Sequence, residues 1–162
     1  MDAEQVINTA IYNEKLAMDH YAALADVAKR AGNKPVAKFF SEQSKREKGH
    51  YNSLSKYKKK AFPSSKVAVG ETVQWITREV TEEAGTQAGL AEALTVVEEA
   101  EKSAEKFYKN ASKSTKDKEA RELFDNLAEE ESRHRKIMAR LRSRLETTGK
   151  IEPADIADLG MD

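Results

Sequence analysis

Apolar residues recur along this chain at three- and four-residue intervals in four long stretches, the pattern of amphipathic helices. In the first, Val6, Ala10, Glu14, Ala17, Tyr21, Leu24 and Ala28 share one face of a helix that Asp2 can cap and that runs to about Arg30. Ala31-Gly32-Asn33 stops it, and a second helix begins near Lys34-Pro35, where proline is tolerated in the first turn. That helix carries Val36, Phe39, Phe40, Gln43, Glu47, His50, Tyr51 and Leu54 on one side and fades in the basic run Lys56–Lys60, interrupted only by Tyr57. A third helix is expected from about Ala88 to Ala111, with Leu90, Leu94, Val97, Glu101, Ala104 and Tyr108 in its stripe. After a polar turn over Ser112–Lys116, a fourth runs from a cap at Asp117 to Thr148, with Phe124, Leu127, Glu131, His134, Met138 and Leu141 inward. Gly149 is a natural stop, and Pro153 is expected to end any helical continuation.

The connections decide the topology. The short links predict two antiparallel hairpins. The stretch from Ala61 to about Gln87 breaks the helical pattern with Pro63-Ser64-Ser65, Gly70, Gly85 and the β-leaning piece Thr72–Thr77, with room for a short helix around Glu71–Glu83. A link of this length implies a crossover that leaves the second and third long helices parallel. The expected architecture is all-α: a four-helix bundle over residues 1–148, followed by a tail over 149–162. The single tryptophan, Trp75, is expected to cover core surface.

The polar residues inside the apolar stripes form a repeat. Glu14 stands seven residues before Tyr21, and Glu101 seven before Tyr108. Glu47 stands three before His50, and Glu131 three before His134; Phe40 and Phe124 each lie seven ahead of the second acid. At 1.5 Å per residue the four acids sit at mid-bundle depth, roughly 16–26 Å from the turns. Four ionised carboxylates cannot share a buried layer without cations, because desolvation and mutual repulsion would protonate them. Two divalent metals would supply the missing charge, and each Glu-x-x-His places a carboxylate and an imidazole one turn apart as neighbouring ligands. The opposing reading is a pseudo-repeat without metal.

Composition narrows the chemistry. The chain has 162 residues, 39% hydrophobic and 35% charged, with 28 basic and 28 acidic side chains and a formal net charge of zero. This is one domain's worth of sequence with no basic excess to favour nucleic acid. No apolar run approaches the ~20 residues of a membrane span, and the start, MDAEQV, is not expected to direct export. There is no cysteine, so disulfides, thiolate catalysis and iron–sulfur or four-cysteine iron sites are excluded. A metal must be held by Glu, Asp, His and water.

Other candidates are weighed on the same helices. Tyr21 and Tyr108 lie on the acids' face, where a buried hydroxyl needs a partner; the expectation is that they orient ligand carboxylates, simple packing being the alternative. His20 has no acid three residues before it and is expected to be exposed. Glu98 and Glu105 flank the inner face where the first half has Ile11 and Met18, either as solvated edge residues or as an additional ligand.

The phrases NEKLAMDHY (13–21), SKREKGHY (44–51), AEKSAEKFYKNA (100–111) and AEEESRHRKI (128–137) resemble the rubrerythrin family of the ferritin-like superfamily, over roughly residues 3–145. The resemblance implies a ferritin-like bundle with two iron ions, manganese being the other candidate. Glu14 and Glu101 would be terminal ligands, Glu47 and Glu131 bridging ones, and His50 and His134 would each bind one ion. It also implies a cytoplasmic homodimer that reduces hydrogen peroxide to water. Iron oxidation by dioxygen with iron sequestration, and a non-catalytic metal-binding bundle, are the alternatives. Typical family members also carry a four-cysteine iron domain; without cysteine here, electrons would come from a separate rubredoxin-like donor. They also have an additional Glu on the third long helix and one more residue before its Tyr, whereas Glu101 and Tyr108 keep the spacing of the first half.

Overall fold

The computed structural model describes residues 1–64 and 78–157. Among them are four long helices, α1 (Ala3–Arg30), α2 (Lys34–Ala61), α4 (Gln87–Ser114) and α5 (Lys118–Thr148), and two short ones, α3 (Arg78–Glu83) and α6 (Pro153–Ala157). No strand occurs among the described residues. The all-α ferritin-like bundle expected from the hydrophobic pattern is the observed architecture.

Local chemistry sets the helix ends. Asp2 accepts from the Gln5 amide while the Gln5 side chain answers the Asp2 amide, a reciprocal cap that satisfies two otherwise orphaned donors. Asn33 caps α2 through the Val36 amide, and Asp117 caps α5 through the Ala120 amide at 2.8 Å. Asp117 also accepts from the Tyr57 hydroxyl at 2.8 Å, pinning the end of α2 to the start of α5. Gly149 closes α5 at φ 77°, a left-handed conformation that costs glycine least. At Gly89 a Cβ would lie 1.9 Å from the Glu83 carbonyl oxygen, so the first turn of α4, pressed against the end of α3, admits only glycine there.

α1 packs along α2, and α4 along α5, as two antiparallel hairpins. A cleft at one end of the bundle is lined by Ile7, Tyr57, Ala111 and Phe124; one at the opposite end is lined by Asn33, Pro35, Gln87 and Leu145. The C-termini of α2 and α4 therefore lie together and the two helices run parallel, as the length of the link between them predicts. The core divides into two apolar clusters. One gathers Tyr21, Leu24, Phe39, Phe40, Leu94, Met138 and Leu141; the other gathers Ile7, Leu54, Tyr108, Phe124 and Leu127. The buried polar layer lies between them. Tyr21 stacks on Phe40 and Tyr108 on Phe124, both at 6.1 Å between ring centroids, so the sequence repeat is also a spatial one.

Three boundaries differ from expectation. α4 continues to Ser114, beyond Ala111, because Ser112 is buried and its hydroxyl donates to Asp125 of α5. α2 stays helical through its lysines to Ala61. Pro153 opens α6 rather than ending helical structure; Ile151 just before it is buried, and Asp155 of α6 pairs with Arg144 at 2.7 Å. The β-leaning piece, Trp75 and the early part of the helix expected from Glu71 lie outside the described residues.

Leu141 is 1% exposed and remote from the polar layer. Leu141→Ala is expected to lower stability by about 2–5 kcal/mol through lost transfer energy and the cavity left behind, read from urea unfolding of the metal-free protein.

Candidate metal centre

The polar layer is built from one residue type per stripe position. Glu14 on α1 and Glu101 on α4 each interrupt an apolar face, and the Glu-x-x-His pairs Glu47/His50 and Glu131/His134 do so on α2 and α5. All four acids are 1–3% exposed, and His50 and His134 are 5% and 2% exposed. Their ligand atoms fall into two quartets, each with its atoms within 4.8 Å of one another: Glu14, Glu47, His50 and Glu131, and Glu47, Glu101, Glu131 and His134. Glu47 and Glu131 belong to both. The imidazole planes lie 13° apart with centroids 5.8 Å apart.

Both histidines turn Nδ1 toward the acids. His50 Nδ1 lies 3.1 Å from Glu131, 3.2 Å from Glu47 and 3.4 Å from Glu14. His134 Nδ1 lies 3.2 Å from Glu47, 3.3 Å from Glu131 and 3.8 Å from Glu101. Glu47 Oε1, Glu101 Oε2, Glu131 Oε1 and His134 Nδ1 are buried without an aligned hydrogen bond. Orphaned polar atoms converging from three helices, α2, α4 and α5, are costly unless something cationic sits among them. Carboxylate oxygens with one imidazole per quartet suit a divalent first-row metal, so the residues fit two such ions.

Without metal the charge must be met by protons. Burial, reinforced by Glu47 and Glu131, raises the Glu14 carboxyl well above its ordinary range; burial and Glu131 do the same for Glu101. Burial alone would discharge the imidazoles, but the surrounding acids outweigh it and hold His50 and His134 protonated. Burial likewise pushes Glu47 and Glu131 upward, and contacts with both imidazoles, joined at Glu131 by the hydrogen bond to Glu101, reverse it and keep them ionised. The metal-free layer is thus near neutral, with two imidazolium ions facing two carboxylates and two acids holding protons.

The tyrosines find their acids across the bundle. Tyr21 donates to Glu101 and Tyr108 to Glu14, so each hydroxyl serves the other hairpin's acid. The two members of each Glu-x6-Tyr pair are about 10 Å apart along one helix, too far to touch. Glu98 and Glu105 stay out of the centre. Glu98 pairs with Arg142 at 3.0 Å; Glu105, though buried, pairs with Arg135 at 2.9 Å and with Lys109. His20 is half-buried rather than exposed, and burial lowers its pKa.

Two features escaped the sequence. Glu130 Oε2 lies 2.6 Å from His50 Nε2, on the side of the ring away from the acids. Its only linear signal is membership of the run Glu129-Glu130-Glu131. A cavity of ≈ 10 Å³ borders Glu14, Glu47 and Glu131 and is walled by Asn13, Ala17, Ala104, Phe107 and Tyr108. Small residues at 17 and 104 were read only as stripe positions.

The family model described as rubrerythrin matches residues 5–142. No curated protein matches the chain. Among solved structures, a hypothetical protein from Pyrococcus furiosus is 23% identical with a TM-score of 0.71, the match covering 94% of each chain. An uncharacterized conserved protein from Magnetospirillum magnetotacticum is 21% identical with a TM-score of 0.70, over 94% of this chain and 99% of that one. These likenesses show a shared fold. No described helix is long and apolar enough to cross a membrane.

Protons and metal compete for this layer. Loading two divalent ions at neutral pH is expected to release about four protons, two from imidazolium and two from carboxyl groups, measurable by calorimetry in buffers of different ionisation enthalpy. Release of fewer than two would contradict this charge state. The same groups set the sign of the pH dependence. Glu14, Glu101, His50 and His134 hold protons that the unfolded chain loses above its ordinary values of 4.5 and 6.5. Their contribution therefore falls as pH rises above those values toward the raised folded ones, and the metal-free melting temperature should drop from pH 6.5 toward about pH 9 while that of the loaded protein changes little.

Proposed function

The chain belongs to the rubrerythrin family, and from that premise we propose that it is a di-iron oxidoreductase reducing hydrogen peroxide to water. Electrons would come from a separate rubredoxin-like donor, and the protein would work as a cytoplasmic homodimer. The observation that carries the reading is the pair of quartets sharing Glu47 and Glu131, which suits two adjacent ions. Two iron ions, each giving one electron, would supply the pair needed to break the O–O bond, with two protons completing two waters. Manganese fits the same donors.

The chain's own groups do the rest. Glu47 and Glu131 would span both ions, Glu14 and His50 would complete one position, and Glu101 and His134 the other. Tyr21 and Tyr108 hold the unshared carboxylates, Glu101 and Glu14, in place through one oxygen each, leaving the other for the metal. Phe40 and Phe124, 0% and 2% exposed, stack on Tyr21 and Tyr108 and back the two tyrosines that hold these carboxylates. The cavity between Ala17 and Ala104 is about the size of one water, which favours a small oxidant over an organic hydroperoxide.

The test is to load the protein with Fe(II) anaerobically, add hydrogen peroxide or dioxygen, and follow ferric absorbance. Oxidation of two irons per peroxide, faster than with dioxygen, is expected. Rapid oxidation by dioxygen with slow or absent oxidation by peroxide would overturn the proposal. Light scattering supplies a second arm: iron storage needs a hollow multi-subunit shell, which a dimer cannot form. Ala104→Leu, which fills the cavity, is expected to slow oxidation by peroxide at least tenfold while the protein still binds two irons.

A further inference from the structure

The repeat that duplicates Glu-x-x-His does not duplicate what stands behind the histidines. His50 Nε2 lies 2.6 Å from Glu130 Oε2, a contact delivered by the opposite hairpin. Glu130 immediately precedes Glu131 on α5, and its side chain is 40% exposed at the rim of the layer. The residue immediately preceding Glu47 on α2 is Arg46, so the equivalent place carries the opposite charge. Among the described residues, the acids within 4 Å of His134 are Glu47, Glu101 and Glu131, and each makes its closest approach to Nδ1. No carboxylate of the described residues backs the far edge of that ring.

This difference matters because a metal needs a lone pair on Nδ1. An ionised carboxylate can only accept, so Glu130 keeps the proton on Nε2, frees Nδ1 for the ion, and fixes the plane of the ring. Hydrogen bonding to an anion also makes the imidazole a stronger donor. His134 must hold the same tautomer without that help. Resting on the dimetal reading of the centre, we infer that its two positions are unequal. Glu130 is a positioning residue that makes the Glu14–His50 position the tighter one and the first to fill.

Manganese(II) alone, titrated anaerobically into the full chain, tests this by calorimetry and electron paramagnetic resonance. The unmodified protein is expected to bind two ions in steps at least tenfold apart. The signal of an isolated ion should peak near one equivalent and give way to that of a coupled pair near two. Glu130→Gln keeps the shape and removes the charge; it should weaken the tighter step by about 10–100-fold and leave the other unchanged. Arg46→Glu, which places an acid behind His134 by the same register, should tighten the weaker step, a gain that damage to the fold cannot produce. Equal steps in the unmodified protein, a Glu130→Gln change that leaves their ratio intact, or an Arg46→Glu protein with an unaltered weaker step would each overturn the inference. Absence of bound manganese at both positions would instead sink the dimetal reading beneath it.

Discussion

Ionised carboxylates resist burial, and this chain buries four carboxyl groups in one layer with two imidazoles. The desolvation of each acid is severe unless protons or cations meet its charge, and their mutual repulsion adds to the demand. The rest of the fold can be understood as the means of meeting that demand. Helices of 28 to 31 residues, about 42 Å or more in length, allow a full apolar cluster on either side of the layer. Those clusters supply the hydrophobic stabilisation that the layer itself cannot, at roughly 1.5–3 kcal/mol for each fully buried large side chain. Aromatic pairs bound the layer on both sides, Tyr21 with Phe40 and Tyr108 with Phe124. Metal, when present, replaces the protons that otherwise keep the acids compatible with the interior.

How much of this was legible in the sequence depends on the range of the signal. Glu14, Glu47, Glu101, Glu131, His50 and His134 were visible because each breaks a helical apolar stripe at a fixed spacing, and periodicity is a property of one helix. The parallel run of α2 and α4 was visible because link length constrains topology. Ser112 was misread as turn because the burial that keeps it helical comes from α5, through Asp125, and leaves no local trace. Pro153 was misread because proline opens helices as readily as it ends them, and only the docking of Ile151 and Asp155 decides which. Glu130 was hidden for a similar reason: it sits one residue off the inner face, and its partner is on another helix.

The seams of the two hairpins are also built differently. Along α4 and α5, Glu98 pairs with Arg142 and Glu105 with Arg135, while the corresponding places on α1 are Ile11 and Met18. Ion pairs of this kind, with the arginine end still in contact with water, are weak evidence of stability. Their effect is to commit two acids close to the centre to arginines on the neighbouring helix, which keeps them out of the ligand set. The second hairpin, richer in glutamate near the layer, thereby presents the same number of inward acids as the first.

The crossed tyrosines carry a consequence for how the molecule is divided. A lone α1–α2 hairpin would contain the Tyr21 hydroxyl and the Glu14 carboxyl, yet neither could reach its partner, since those partners belong to α4. The same holds for α4 and α5 in reverse. Each half is therefore the complement of the other rather than a smaller version of the whole. Two copies of one such hairpin, related by a twofold axis, would satisfy every one of these bonds. The chain has the architecture of a dimer whose two members have been joined by a linker, and the centre is its interface.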